Sequence, residues 1–132
     1  MSGDFFPVIR GHGYRTGFVG KFRVGDEAAL KAVSGDFDYW RGILDHWGND
    51  FIEPNDPSRT HATARFGDQA LEFLRDQAVD RPFCLSVSFT APHARDHMPR
   101  EYTPDDRDEP LYADIGLPKP LTAPDAYFEK LP

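Results

Sequence analysis

The chain has little cysteine, no long apolar run and no excess of positive charge, and each absence excludes a class of protein. Cys84 is the single cysteine among 132 residues, so an intrachain disulfide is excluded. No segment reaches the ~18 apolar residues that a membrane-spanning helix needs. The formal net charge of -7 argues against nucleic acid or an anionic membrane as a partner.

The first ten residues contain neither a basic amino-terminal region nor an apolar stretch of signal-peptide length. We therefore predict no signal peptide in this chain. The cellular compartment stays open, because one cysteine says nothing about the redox environment.

Proline and glycine are abundant, with 12 and 11 residues, so much of the chain is expected to be irregular. The 39% hydrophobic content suits one globular unit with a single core. Most prolines follow Pro92, and this part predicts extended surface chain that packs on a larger body. Asp125–Leu131 is the one short helix expected there.

Strand and helix patterns alternate along the rest of the chain. Thr16–Lys21 and Phe83–Phe89 are apolar runs typical of buried strands, the second buried on both faces. The clearest helix is predicted over Arg59–Val79, with Ser58 or Thr60 as its N-cap. One face of that helix is apolar at helical spacing: Phe66, Ala70, Phe73 and Leu74. This order predicts an α/β fold.

The sequence patterns that predict the shorter elements are weaker. Phe5–Arg10 is interpreted as a helix end stopped by the following glycines, and Asp26–Lys31 as one helical turn. Phe37–Trp40 resembles a second strand, and Gly42–Pro57 is interpreted as a loop. Three histidines, His12, His46 and His61, are interpreted as polar turn or surface groups.

A lysine and a histidine end the two predicted strands. Gly20 leaves room for an anion, and Lys21 after it is a point charge suited to a sulfate or phosphate oxygen. Pro92 fixes the backbone before His93. Because open α/β sheets bind ligands at the carboxyl ends of their strands, Lys21 and His93 are expected to share an oxyanion site.

The two strand-end segments resemble the sulfatase family of the alkaline-phosphatase-like superfamily. From Gly13 to Lys21 the chain has the pattern Gly-Tyr-x-Thr-x-x-x-Gly-Lys, followed by an aromatic residue, two residues and Gly25. The second segment is an apolar strand followed by Ala-Pro-His, which ends at His93. The resemblance covers residues 5–132, and it implies an alkaline-phosphatase-like sheet with flanking helices and an irregular, proline-rich carboxyl-terminal stretch.

The resemblance also implies roles for three residues. Lys21 corresponds to the lysine that contacts the sulfate group, and His93 to the histidine beside the leaving oxygen, where it stabilises or protonates the developing charge. Both are candidate catalytic and substrate-binding residues. The second position after the lysine is usually a histidine, but here it is Arg23. An arginine binds an oxyanion but cannot act as a base near neutral pH.

Two parts that the family needs are missing from these residues. Neither Cys84 nor any serine begins the Cys/Ser-x-Pro/Ala-x-Arg motif that yields the formylglycine nucleophile. The carboxylate sets that bind a divalent cation, usually calcium, have no counterpart either, so no metal ligand is assigned. Residues 1–132 are therefore interpreted as a fragment of a sulfatase catalytic domain, inactive alone.

Two alternatives remain open at this stage. One is a hydrolase of phosphate esters or phosphonates from the same superfamily. Arg23 in place of the usual histidine supports this alternative, because it weakens the match to sulfatases. The other is a non-catalytic remnant that binds anions or a partner through Lys21, Arg23 and His93. The expected substrate is a sulfated small molecule or carbohydrate, while nucleic acid and membranes are not expected partners. Family members are often exported, but the compartment and the oligomeric state of this protein are open.

Overall fold

The structure is a computed structural model. It describes residues 5–22, 24–44, 61–76, 78, 80–94, 100–116 and 118.

Three parallel strands form the sheet of the described chain. They are β1 (Arg15–Lys21), β2 (Tyr39–Ile43) and β3 (Phe83–Ser88), in the order β2-β1-β3. The central strand is buried from residue 16 to residue 20. The predicted α/β class is therefore confirmed, and the first predicted strand is confirmed to within one residue.

Three helices accompany the strands: α1 (Phe5–Gly11), α2 (Glu27–Ser34) and α3 (Ala62–Arg75). α2 connects β1 to β2, and α3 lies between β2 and β3 along the chain. Such helical crossovers are what parallel neighbouring strands require. Within residues 5–22, 24–44, 61–76, 78, 80–94, 100–116 and 118, no helix is long and apolar enough to cross a membrane.

The helix ends explain where the predictions were right and where they were wrong. α1 ends before Gly13, whose φ of +88° is the left-handed conformation that glycine adopts readily. Asp26 caps α2 by accepting a hydrogen bond from the Ala29 amide at 2.9 Å, and the helix runs beyond the single turn expected. His61, not Ser58 or Thr60, caps α3.

The second predicted strand and the proline-rich stretch can also be compared with the structure. β2 begins at Tyr39 and continues through Ile43, so the first two residues assigned to a loop belong to the strand. The described part of the proline-rich stretch, residues 100–116, forms turns without a helix or strand, as predicted. The predicted helix Asp125–Leu131 lies outside the described residues.

α3 packs one apolar stripe on one face of the sheet. Phe66 and Phe73, seven residues apart, are buried and share this stripe, and Val19 of β1 is buried beside Phe66. Leu74 is 42% exposed, so its assignment to the buried face was wrong. It lies about 100° further around the helix than Phe73, beyond the strip that the sheet covers.

β3 is less buried than a strand with neighbours on both sides. Its side chains are half-buried or exposed, and Phe83 and Phe89 at its two ends are about equally exposed. The prediction that it is buried on both faces was therefore wrong for the described chain. The reason is its position, because β3 is an outer strand of the described sheet.

An aromatic cluster covers the opposite face of β1. Its ring centroids lie 4.5 to 5.7 Å apart, the spacing of favourable ring contacts. The members are Phe6, Phe18, Phe22, Phe37 and Trp40. Since adjacent strand residues point to opposite faces, Phe18 enters this cluster while Val19 faces α3.

Asp38 joins the elements at the amino end of the sheet. Its carboxylate accepts the Thr16 backbone N–H at 2.9 Å and pairs with Arg10 at 3.0 Å and Arg81 at 3.5 Å. The Asp38 amide in turn donates to the Thr16 carbonyl at 3.0 Å. One partly buried side chain thereby ties α1, β1 and the start of β3 together, and we call this set the Asp38 junction.

We expect Phe73→Ala to destabilise the fold by about 3–5 kcal/mol, because it removes a fully buried ring that contacts Tyr39, Phe83 and the Arg15 guanidinium. Leu71→Ala on the same helix is the control, since Leu71 is half exposed. Urea unfolding followed by circular dichroism measures both variants. Equal losses in the two variants would contradict the assigned core.

Tyr39 links β2 to α3 through its hydroxyl group. The hydroxyl donates towards the Gln69 carbonyl at 3.0 Å and the Glu72 carboxylate at 2.9 Å. Burial raises the pKa of Tyr39 above its ordinary value, and the hydrogen bond to Glu72 acts in the same direction. The fold therefore favours the protonated phenol.

A raised pKa in the folded state gives stability that is complete below the unfolded value, about pH 10, and is lost as the pH rises through the folded value. We expect the free energy of unfolding to fall less steeply above pH 10 in Tyr39→Phe than in the unsubstituted chain. Urea titrations between pH 8 and pH 11 test this, with Tyr14→Phe as the control. If the free energy of unfolding falls equally steeply with pH in all three proteins, the raised pKa of Tyr39 is refuted.

Candidate functional site

Lys21 and His93 leave neighbouring parallel strands at the same edge of the sheet. β1 pairs with β3 so that Gly20 lies opposite Ser88, which places Lys21 beside the chain leaving β3. His93 follows five residues after Ser88. Paired strands lie about 4.8 Å apart, so the two segments start close together.

Gly20 is required by the neighbouring strand. Its φ is +95°, and a Cβ atom at this position would overlap the carbonyl oxygen of Ser88. We expected the missing side chain to make room for an anion. The described contact is instead with the β3 backbone, so the glycine permits the close approach of the two strands immediately before Lys21.

A cavity of about 1050 Å³ opens at this edge of the sheet, and we call it the edge cavity. Its walls come from the first turn of α3, the loop after β3 and the turns between residues 100 and 111. The lining residues are His61, Thr63, Ala64, Ala91, Pro92, His93, Arg100, Tyr102, Thr103, Pro104, Asp105, Arg107, Asp108 and Leu111. The predicted site residue His93 is therefore part of a concave surface large enough for a small-molecule ligand.

His93 is exposed and lines this cavity. Its Nδ1 lies 2.7 Å from the Ala94 carbonyl oxygen, and because a carbonyl only accepts, Nδ1 carries the proton. The His93 amide donates to the Thr90 carbonyl at 2.9 Å, which closes the turn after β3. The bond between Ala91 and Pro92 is cis. The backbone thus directs the imidazole from a defined turn.

Lys21 is the last residue of β1 and is half-buried. Among the residues that the structure describes, no hydrogen-bond or ion-pair partner of its ammonium group is found. It is not one of the residues that line the edge cavity. The structure therefore places Lys21 and His93 at one edge, and their contact with a single anion stays a prediction.

Arg23 lies outside the described residues. Its predicted contact with an oxyanion stays a prediction; in sequence it follows the end of β1 at Lys21 by two residues.

His61 is the functional-site residue that we assigned wrongly, as a polar surface group. It is 6% exposed, and its Nδ1 accepts the Thr63 amide at 3.2 Å. Its Nε2 lies 3.0 Å from the Thr103 carbonyl oxygen and therefore donates to it. This pattern is the neutral Nε2–H tautomer. One imidazole thus begins α3 and attaches the turns after residue 100 to it.

The sequence contains little that could have revealed this role. Histidine is not a common N-cap, and Thr103 lies 42 residues further along the chain. Only the folded chain brings the two together, so local pattern analysis does not find the contact.

Two arginines in the cavity wall already have carboxylate partners. The Nη2 atom of Arg100 donates to both carboxylate oxygens of Glu109, at 2.7 and 2.6 Å, and the Arg100 Nε donates to the Tyr102 carbonyl. Arg107 pairs with Asp105 at 3.2 Å. These pairs hold the turns of residues 100–109 together and compensate the arginine charges.

The described residues do not fit a calcium site. Calcium requires roughly six to eight oxygen ligands around one point. In the parts of the chain that the structure describes, no three His, Cys, Asp or Glu side chains lie close enough to hold a metal ion. The partly buried carboxylates Asp38 and Asp105 are already paired with arginines: Asp38 with Arg10 and Arg81, and Asp105 with Arg107. No reaction step through a metal is therefore derived for these residues.

Comparison with known proteins decides the family. The sulfatase family model matches residues 5–116, which is more than half of the chain. This chain belongs to the sulfatase family. No curated protein and no solved structure matched it. The match spans both strand-end segments, so the predicted resemblance is confirmed, and membership indicates a hydrolase of the sulfatase kind.

We expect His61→Ala to destabilise the fold by about 1–2 kcal/mol and to loosen residues 100–104, because the α3 cap and the bond to Thr103 are both lost. Limited trypsin digestion measures the loosening as faster cleavage after Arg100, while urea unfolding measures the stability. His12→Ala is the control, since His12 is exposed between two glycines. An unchanged cleavage rate in His61→Ala would contradict the proposed attachment.

Proposed function

We propose that this chain forms part of a sulfatase catalytic domain and that Lys21 and His93 contact the sulfate ester. The observation that carries the proposal is the parallel pairing of β1 with β3, which brings both family signature segments to one edge of the sheet. In open α/β sheets this carboxyl edge is where ligands bind. An alkaline-phosphatase-like sheet, extended by further strands, is the architecture proposed for the whole domain.

Lys21 supplies positive charge to a sulfate oxygen. A lysine ammonium is a compact point charge, and no partner competes for it among the residues that the structure describes. The close contact of Gly20 with Ser88 limits the freedom of the backbone just before it. Lys21 therefore binds and orients the sulfate group at the end of β1.

His93 acts on the bridging oxygen of the ester. When the sulfur–oxygen bond breaks, the leaving oxygen gains negative charge, and an imidazolium at this position donates a proton to it. Thr63 and Ala64, in the first turn of α3, line the same cavity at the positive end of the helix dipole. Both features favour an anionic group beside His93 in the edge cavity.

Other parts of the enzyme supply the remaining chemistry. No residue begins the formylglycine motif in the sequence, and the described residues do not fit a calcium site, so we propose that the nucleophile and the divalent cation come from outside the described residues. These groups carry the covalent step and much of the charge stabilisation. We therefore propose that this chain alone binds the anion but turns over little substrate. Arg23 is proposed as a further oxyanion contact.

The proposal predicts that the purified chain binds inorganic sulfate and that Lys21→Ala and His93→Ala each weaken binding by roughly tenfold, as the loss of one charged contact implies. Titration followed by NMR chemical shifts measures the affinity. Lys31→Ala is the matched control, because Lys31 is exposed on α2. No aryl sulfatase turnover is expected above that of Lys21→Ala.

Two results would overturn the proposal. One is sulfate binding that is unaffected by Lys21→Ala and His93→Ala. The other is much tighter binding of inorganic phosphate than of sulfate through the same residues, which would support the alternative of a phosphate-ester hydrolase.

A further inference from the structure

Residues 100–111 contribute both apolar and charged side chains to the edge cavity. We call the cavity-lining part of these residues the outer wall. It presents two large apolar side chains, Tyr102 and Leu111, which are 61% and 57% exposed. Pro104, Ala91 and Pro92 line the same cavity. Apolar side chains and His93 thus line one cavity.

Exposed apolar side chains of this size lose contact with water when a ligand covers them. A tyrosine ring also stacks on flat ring systems at low entropic cost, because only two side-chain torsions are fixed. The proposed function binds the sulfate beside His93. Because His93, Tyr102 and Leu111 line one cavity, a ring attached to that sulfate can contact Tyr102 and Leu111.

The charges of the outer wall do not suit a second anion. Arg100 is held by both oxygens of Glu109, and Arg107 by Asp105. Asp105 and Asp108 both line the cavity, and Glu109 holds Arg100 from outside the lining, so three carboxylates neighbour the two arginines of this wall. A second anionic group on the ligand would have to displace a carboxylate from one of these ion pairs, which costs a charge-assisted interaction.

The attachment of the wall makes it a fixed surface. The Thr103 carbonyl accepts a hydrogen bond from the buried His61, directly beside Tyr102. The Tyr102 carbonyl accepts from Arg100. Two consecutive carbonyls after the Tyr102 Cα are therefore held, which restricts the backbone that carries the ring.

We propose that the outer wall makes this site selective for sulfate esters of an uncharged, ring-bearing alcohol, with the ring against Tyr102 and Leu111. This inference rests on the proposed function, because it takes the position of the sulfate from Lys21 and His93. It names Tyr102 and Leu111 as specificity-determining residues and the pair of Arg100 and Glu109 as the element that disfavours a second anion.

The test compares three ligands with the full 132-residue chain: inorganic sulfate, phenyl sulfate and 4-carboxyphenyl sulfate. NMR titration gives the affinities, and the chemical-shift dispersion of each variant shows that it is folded. We expect phenyl sulfate to bind roughly tenfold more tightly than inorganic sulfate, because it covers apolar wall. We expect 4-carboxyphenyl sulfate to bind several-fold more weakly than phenyl sulfate.

Three variants locate these effects. Tyr102→Ala is expected to remove most of the extra affinity for phenyl sulfate and to leave the affinity for inorganic sulfate unchanged. Leu111→Ala gives a second, independent measurement of the same effect. Tyr112→Ala is the matched control, because Tyr112 is 76% exposed in the same turns but does not line the cavity. Glu109→Gln releases Arg100. It is expected to reduce the difference between the affinities for phenyl sulfate and for 4-carboxyphenyl sulfate.

The outcomes separate the two proposals. If inorganic sulfate binds through Lys21 and His93 but neither Tyr102→Ala nor Leu111→Ala affects phenyl sulfate, only the selectivity is refuted. Binding of 4-carboxyphenyl sulfate as tight as that of phenyl sulfate refutes it as well. If no sulfate-bearing ligand binds, or binding ignores Lys21 and His93, both the proposed function and this inference are refuted.

Discussion

The parallel register between β1 and β3 is the constraint on which the site depends. Gly20 lies opposite Ser88, and only a residue without a Cβ atom fits there, because a side chain would meet the Ser88 carbonyl. A shift of one residue would also turn Val19 from the α3 side of the sheet to the aromatic side. Core packing and the contact at Gly20 therefore specify the same register, and that register places Lys21 beside the chain that leads to His93.

The opposite ends of the strands are held by charge. The carboxylate of Asp38 accepts the Thr16 amide and pairs with Arg10 and Arg81, so α1 and the starts of β1 and β3 meet at one partly buried group. Removing the Asp38 carboxylate would take this partner from both arginines at once. The sheet is thus fastened at its amino edge by the Asp38 junction.

Much of the fold follows from local patterns, and the failures have physical causes. Continuous apolar runs located β1 and β3, and apolar side chains at helical spacing located α3. Leu74 was misassigned because periodicity shows which residues share a stripe but not how wide a strip the sheet covers. The burial of β3 was overestimated because the number of neighbouring strands is a property of the sheet. His61 was missed because its partner, Thr103, is distant in sequence.

The sequence by itself determined the family and the two strand-end residues, Lys21 and His93, because signature segments are local and need no knowledge of packing. Only the tertiary structure decided that these strands are parallel neighbours and that His93 lines a cavity walled by residues 100–111. It alone joined His61 to Thr103. The reason is that hydrogen bonds and cavity walls between distant segments depend on strand order and register, which local residue patterns do not encode.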